Sequence, residues 1–372
     1  MEKYRFEQIA FNSTVKKMPT DDDRKTYIGL EHLNPGRIMI SRWGSAVPLK
    51  GEKLVMKKGD VLLGKRNAYL RRAAISPHDG IFSAHGMVLR PNEKIVDKSF
   101  FPLFIASDYF FDVAIKISVG SLSPTVNWKD LRTTEFHLPD LHTQRRIADV
   151  LWSINSTMEA YRRLISATDE LVKSQFIELV KSGKWEVVKA GTVMKNMRNG
   201  LSPSTKGTHR EKVLTLSAIT QGHFDADAWK DGVFDACPPE EKRITSSEFY
   251  MCRGNGNKSL VGIGVYSPES RPDLVFPDTV IAAGIDTRMI CLPYLSAAWK
   301  SESVRNQIES SARTTNGTYK INQNIISNIV LVLPPLPLQE RFAAFVRQGD
   351  KSKFEMEHLL QELTASIHIV SL

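Results

Sequence analysis

Along residues 147–179 one stripe of positions advances by steps of four and three: Ile147, Leu151, Ile154, Met158, Tyr161, Ile165, Thr168, Val172 and Leu179, with Gln175 in the remaining slot. Such a heptad seam predicts a long helix with one face to bury. The same register returns late in the chain as Phe342, Val346, Gly349, Lys353, Met356, Leu360, Leu363, Ile367 and Val370, weakened at Gly349 and Lys353. Each helix should run roughly 35–40 residues, or roughly 50–60 Å. One amphipathic helix is usually an ordinary core element. Two with matched seams are expected to bury those seams against each other.

The same punctuation precedes both helices. LPDLHTQRRIADVL begins at Leu138 and LPPLPLQERFAAFV at Leu333, which sets Pro139 on Pro334, Leu141 on Leu336, Gln144 on Gln339, Arg146 on Arg341 and Ala148 on Ala343. Proline suits the turn before a helix rather than its interior, so Pro139, Pro334, Pro335 and Pro337 mark where a globular unit ends. Weaker matches keep the same order upstream. YRFEQIA from Tyr4 resembles WEVVKAG from Trp185, and Leu30, Leu33 and Gly36 meet Leu216, Ile219 and Gly222. LLGKRN from Leu62 meets YMCRGN from Tyr250, and Asn127 meets Asn322. MVLRP against ICLP fits poorly and needs a locally larger shift.

This pattern predicts a tandem duplication. The expected fold class is α+β: two similar globular domains, 1–141 and 184–335, with long helices over 142–183 and 336–372 packed as an antiparallel coiled coil about a pseudo-two-fold axis. Within the domains, 60–63 reads as a strand, 101–117 and 294–311 as helices, and 192–212 as a loop.

Composition narrows the class. The chain has 372 residues, 42% hydrophobic and 24% charged, with a mean hydropathy of −0.24, which suits two globular domains. No apolar run approaches ~18 residues, and the first residues lack a signal-peptide pattern, so a cytoplasmic protein off the membrane is expected. Cys237, Cys252 and Cys291 form no C-x-x-C pair and read as reduced packing residues. The net charge of +9 favours a polyanionic partner, although a basic surface without a particular partner has the same balance.

Duplex reading needs cations for phosphates and planar donors for base edges. The first domain offers Arg42 with Trp43, then Lys65, Arg66, Asn67, Arg71 and Arg72 beside the expected strand. The second offers Arg253, Asn255, Asn257 and Lys258, with Gly254 and Gly256 for close backbone approach. Lys129, Arg132, Arg313 and Lys320 suit phosphates. The competing reading of each is a solvated loop residue. GNGNKSLVG matches neither common phosphate-binding glycine motif. There is no H-E-x-x-H, zinc spacing or G-x-S-x-G elbow, nor the Asn-Pro-Pro-aromatic signature of an amino-methyltransferase. The acidic TDDDRK at 20–25 reads as a solvated turn rather than a metal site.

The paired P-x-L-x-x-Q motifs leading into heptad helices resemble the specificity subunit of type I restriction–modification systems. KKGDVLLGKRN at 57–67 and CRGNGNKSLVG at 252–262 are similar to segments of that family's target recognition domains. SLSPTVNWKDL at 121–131 and NGTYKINQNII at 316–326 resemble the approach to its long helices. The resemblance spans essentially the whole chain.

It implies a non-catalytic subunit that reads a split target in double-stranded DNA, one half per domain. The helices would set the spacer and carry two adenine-N6 methyltransferase subunits, and restriction subunits would join them. Pro139, Gln144, Pro334, Pro335 and Gln339 would then bind partners. This chain would carry no cofactor; S-adenosylmethionine, ATP and magnesium would sit on the partners. One departure bears on partner contact: the family's usual Glu before the Gln is Thr143 in one copy and Leu338 in the other. The rivals are the specificity partner of a combined methylase–nuclease subunit, a coiled-coil scaffold that reads protein, and a stand-alone enzyme with scattered catalytic residues.

Overall fold

The computed structural model describes residues 1–315 and 317–370, the side chains of 315 and 366–370 excepted. Asn316, the seam side chains Ile367 and Val370, and the last two residues of the expected 336–372 helix lie outside the described residues. The chain divides into two compact units, Met1–Arg163 with Met356–Leu372, and Leu164–Glu355. Both divisions fall inside a long helix, whereas the sequence boundaries lie at the helix starts and at the end of the first helix.

In the first unit Glu2–Arg5 pairs antiparallel with Glu135–Leu138, tying the start of the globular part to its end. An antiparallel sheet follows in the order Ala10–Ser13, Gly86–Pro91, Val61–Gly64, Ala73–Ile75. Val61–Gly64 is buried on both faces because alternate side chains enter two cores. Val61 and Leu63 join a core rich in phenylalanine, while Leu62 joins Ile28, Phe82 and Val88. In the aromatic core Phe136 stands 5.3 Å from Phe104 and 5.7 Å from Phe6, ring centre to ring centre.

The second unit repeats this order of connection. Glu186–Lys189 pairs with Val330–Leu333. Its main sheet runs Met194–Asn199, Val280–Ile285, Glu248–Cys252, Gly264–Tyr266. Phe249 and Met251 enter one core, Tyr250 and Cys252 the other. Burial raises the Cys252 thiol to about 11, which suits a packing residue.

Three expectations about elements need correction. First, 101–117 is two helices, Phe100–Ala106 and Asp108–Lys116, and 294–311 falls in Leu292–Lys300 and Glu302–Ser311. Each break sits at a serine in extended backbone. The Ser107 hydroxyl accepts from the Phe110 amide at 3.2 Å, and that of Ser301 from Val304 at 3.4 Å. Serine oxygens satisfy the orphan amides of a new helix. Second, the expected loop 192–212 contains the strands Met194–Asn199 and His209–Leu214. The latter, HREKVL, starts with charged side chains, and its pairing with Trp229–Phe234 is non-local. Third, MVLRP falls in Gly86–Pro91, whose counterpart in sheet order is Val280–Ile285. ICLP lies beyond that strand and enters a helix, which explains the poor fit.

The long helices are Leu141–Lys181, with 41 residues, and Leu336–Val370, with 35. Every described seam position is buried or half-buried except Gln175, which is exposed. Phe176 is buried in its place, 5.7 Å from the Tyr294 ring and 6.0 Å from Phe342. The stripe therefore shifts by one residue where the helix meets the second unit's globular core. Among the described residues no helix is long and apolar enough to cross a membrane.

Candidate nucleic-acid interface

In the first unit the segments 57–67 and 121–131 meet in space. Leaving the strand, Lys65 donates its amide to the His85 carbonyl at 3.2 Å and accepts from the Val126 amide at 2.9 Å. Arg66 forms a backbone bridge with Thr125. Asn67 accepts from the Ser123 hydroxyl at 2.9 Å, and Ala68 donates to the Pro124 carbonyl at 3.3 Å. Ala68–Leu70 is a single 3-10 turn flanked by Asn67 and Arg71, both with left-handed backbone, at φ 54° and 46°. Left-handed backbone is costly for a residue with a Cβ. It persists here because bonds on both sides hold the turn.

Around this turn positive charge converges. The His85 imidazole is held below its ordinary value by burial and then by Arg66, Lys65 and Lys53. His85 escaped the sequence reading because no local motif marks it; it sits in the turn between the strands Gly80–Phe82 and Gly86–Pro91, and its carbonyl receives the Lys65 amide. Arg71, a sequence candidate, is committed internally: its guanidinium pairs with Asp108 and, at 2.7 Å, with Asp112. Arg72 is half-buried, and its Nε lacks a hydrogen-bond partner among the described residues. Arg42 stands exposed on a different loop, next to Trp43, which packs edge-on against His78 at 4.9 Å. Lys129 is exposed, whereas Arg132 pairs with Glu7 at 3.1 Å.

In the second unit the segment 252–262 meets residues 313–321. Gly254–Asn255 pairs with Thr318–Lys320, which pairs with Arg313–Thr315. Gly254, Lys320 and Arg313 thus stand in one cross-strand row, so the candidates of two distant segments share one small sheet. Arg253 is anchored through its amide to the Thr279 carbonyl at 2.8 Å and through its guanidinium to the Asp278 carbonyl at 3.2 Å. Lys258 stands over the Tyr319 ring at 5.9 Å. A side chain at Gly254 would press on Lys320, whereas the space at Gly256 is open. Close backbone approach is therefore required at Gly254 only.

The asparagines are differently placed from the arginines. Asn67, Asn255 and Asn257 each use the side-chain oxygen within their own loop, accepting from Ser123, Asn257 and Ser259 respectively. Bidentate pairing with adenine needs that oxygen together with the amide NH2.

The expected partner-binding glutamines are also committed internally. Gln144 is fully buried; it donates to the Ile95 carbonyl at 3.0 Å and the Pro139 carbonyl at 2.8 Å, and accepts from the Asp97 amide at 2.7 Å. Gln339 repeats the arrangement. It donates to Met289 and Pro334 at 3.0 and 2.8 Å and accepts from the Cys291 amide at 3.1 Å. Both lock a helix start to the preceding globular part. Pro139 is half-buried and Pro334 buried, so Pro335 is the exposed member of the set.

Residues 7–167 match the model of the type I restriction modification DNA specificity domain. The match is confined to that stretch, somewhat less than half of the chain. The specificity subunit of the StySPI type I restriction enzyme of Salmonella potsdam is 20% identical over 294 residues, 73% of this chain and 62% of that protein. The chain thus spans less than two thirds of that relative's length. The S subunit of a type I restriction–modification system from M. genitalium has the same fold, with a TM-score of 0.58 and 11% identity over 99% of this chain and 94% of that one. A chain from a study of complex assembly and conformational transition in the type I R-M system aligns at TM-score 0.50 and 18% identity, covering 99% and 97%. The specificity domain match ends within the first long helix, so it takes in the 65–72 turn and Gln144. Among the described residues no cluster of His, Cys, Asp or Glu could hold a metal ion.

Proposed function

We propose that the chain is a non-catalytic specificity subunit that reads a bipartite duplex DNA target, one half-site per globular domain, and scaffolds methyltransferase and restriction subunits on its long helices. One observation carries the reading. In both units the loop after the central strand is tied to the segment before the long helix, and basic residues gather there. Lys65 and Arg66 form the first group and Arg253, Lys258, Arg313 and Lys320 the second. Such groups suit phosphate and base-edge contacts.

We further infer a tandem duplication whose helices pair antiparallel about a pseudo-two-fold axis. Contacts inside the second unit support the antiparallel sense: Phe176 meets Phe342 while Asp169 binds Lys353. As one helix advances, the other retreats. Exposed Pro335 and the exposed faces of the helices are the surfaces left for partner subunits.

The test is duplex binding by the chain with its methyltransferase subunits across a salt series, on the target found by mapping adenine methylation with and without the gene. Affinity should fall steeply with salt, because each phosphate contact contributes about 0.9 to the log–log slope. Lys65→Ala and Lys320→Ala should each lower that slope by about one contact. Salt-independent binding of a protein ligand, with no split methylation motif lost on deletion, would leave the protein-reading scaffold.

A further inference from the structure

The bonds that shape the 65–72 turn also hold out a side chain that the proposed function does not use. Residues 119–125 form a short hairpin in which the amide of Val119 donates to the Thr125 carbonyl at 3.0 Å and the reverse bond is 2.9 Å. Gly120 turns the chain at φ 110°. Past the apex, Ser123 donates to Asn67, the Thr125 hydroxyl donates to the Ser123 carbonyl at 2.9 Å, and Pro124 accepts from Ala68. Leu122 stands at this braced apex with 97% of its surface exposed, the highest exposure among the large hydrophobic residues described. Val119 and Tyr69, on the same two tied segments, are also more than half exposed.

A single exposed leucine needs no explanation on a mobile surface loop. Here the returning strand of the hairpin, residues 123–126, is tied to the segment that carries Lys65 and Arg66. The cations select the occupant. An apolar tip on a hairpin tied to the segment that carries Lys65 and Arg66 complements a polyanion with an apolar interior, and stacked bases between two phosphate strands are that. Proteins insert leucine between base steps to unstack and kink a duplex, which lets a rigid surface wrap more of it.

Resting on the reading of the first unit as a DNA reader, we propose that Leu122 is a wedge that enters the base stack of the first half-site while Lys65 and Arg66 hold the flanking phosphates. Specificity at that step would then come from how readily it unstacks rather than from hydrogen bonds to its edges.

The experiment uses the full chain with its methyltransferase subunits and the duplex target from the methylation map. 2-Aminopurine is placed singly through the first half-site, omitting the methylated adenine, which the methyltransferase itself can displace. Wild type should brighten the probe severalfold at one step. Leu122→Ala should lose that rise and bind about tenfold more weakly, with an unchanged salt slope and melting temperature. Leu122→Met should restore much of the signal. Wild-type brightening retained in Leu122→Ala, or no bright step in a wild-type complex that does bind, overturns the wedge while leaving the DNA reader intact. Loss of methyltransferase co-purification in Leu122→Ala without a change in fluorescence would assign the tip to a protein partner instead. If wild type shows no salt-dependent binding to the duplex, the DNA reading itself has failed.

Discussion

Gln144 and Gln339 show what one side chain does at each helix start. A glutamine amide has two donors and an acceptor, and here each glutamine serves three backbone groups that would otherwise be buried without partners. Replacing Gln144 with leucine keeps the volume and strands the Ile95 and Pro139 carbonyls and the Asp97 amide. The expected loss is on the order of 3 kcal/mol, since an unsatisfied buried group costs about 1–3 kcal/mol; urea unfolding of Gln144→Leu reads it directly. Asp97, beside Gln144, has a pH signature. Burial alone would raise its carboxyl, but bonds from Ser99 and Arg145 and from the Ser99 and Phe100 amides bring it down to about 2. A carboxyl held below its unfolded value of 3.8 stabilises fully above that pH and loses the contribution as pH falls towards about 2. Acid unfolding followed by circular dichroism should therefore show wild type losing stability through that window more steeply than Asp97→Asn. The repeat of the glutamine was legible from sequence. Its use was not, because two of its three partners lie 47 and 49 residues away.

At the element scale, the two positions that weaken the second seam turn out to have uses. A Cβ on Gly349 would stand 3.2 Å from a Thr168 methyl and 3.5 Å from one of Val172, so glycine lets the helices approach closely there. Lys353 pairs with Asp169 at 2.8 Å and Asp350 at 3.0 Å, so a charge at a seam position is answered across the helices and along its own. Gly349→Leu should force the helices apart and lower stability by about 1–3 kcal/mol, the usual range for overpacking. A drop in melting temperature would show it, whereas an unchanged or raised value would mean that the gain in helix propensity outweighs the crowding. Heptad spacing was readable because period and burial are local properties of one chain segment. The slip to Phe176 was not, because it depends on Tyr294 in the globular part.

For the whole molecule, modularity is the consequence to test. Exchanging residues 185–333 for the equivalent unit of a relative should change one half of the methylated motif and leave the other; a change in both halves would end the one-domain, one-half-site reading. Inserting four residues near Thr168 lengthens the helix by ~6 Å, close to two base-pair steps of duplex at ~3.4 Å each. The unread spacer in the methylation map should grow by one or two base pairs, and an active variant with the original spacer would show that the helix is not the ruler.

What the sequence determined by itself is whatever repeats or alternates along the chain: two long helices in register, their proline-marked starts, the apolar strand at 60–63 and an excess of positive charge. Each of these depends on residues a few positions apart, so a linear reading reaches them. The tertiary structure decided which candidates stay available. It committed Arg71 to Asp108 and Asp112, buried both glutamines, brought His85 to the 65–72 turn and raised Leu122 on a braced hairpin. The physical reason is the same throughout. Whether a polar group faces solvent or a neighbour, and whether an apolar one is covered, depends on strands and loops distant in sequence that only folding brings together.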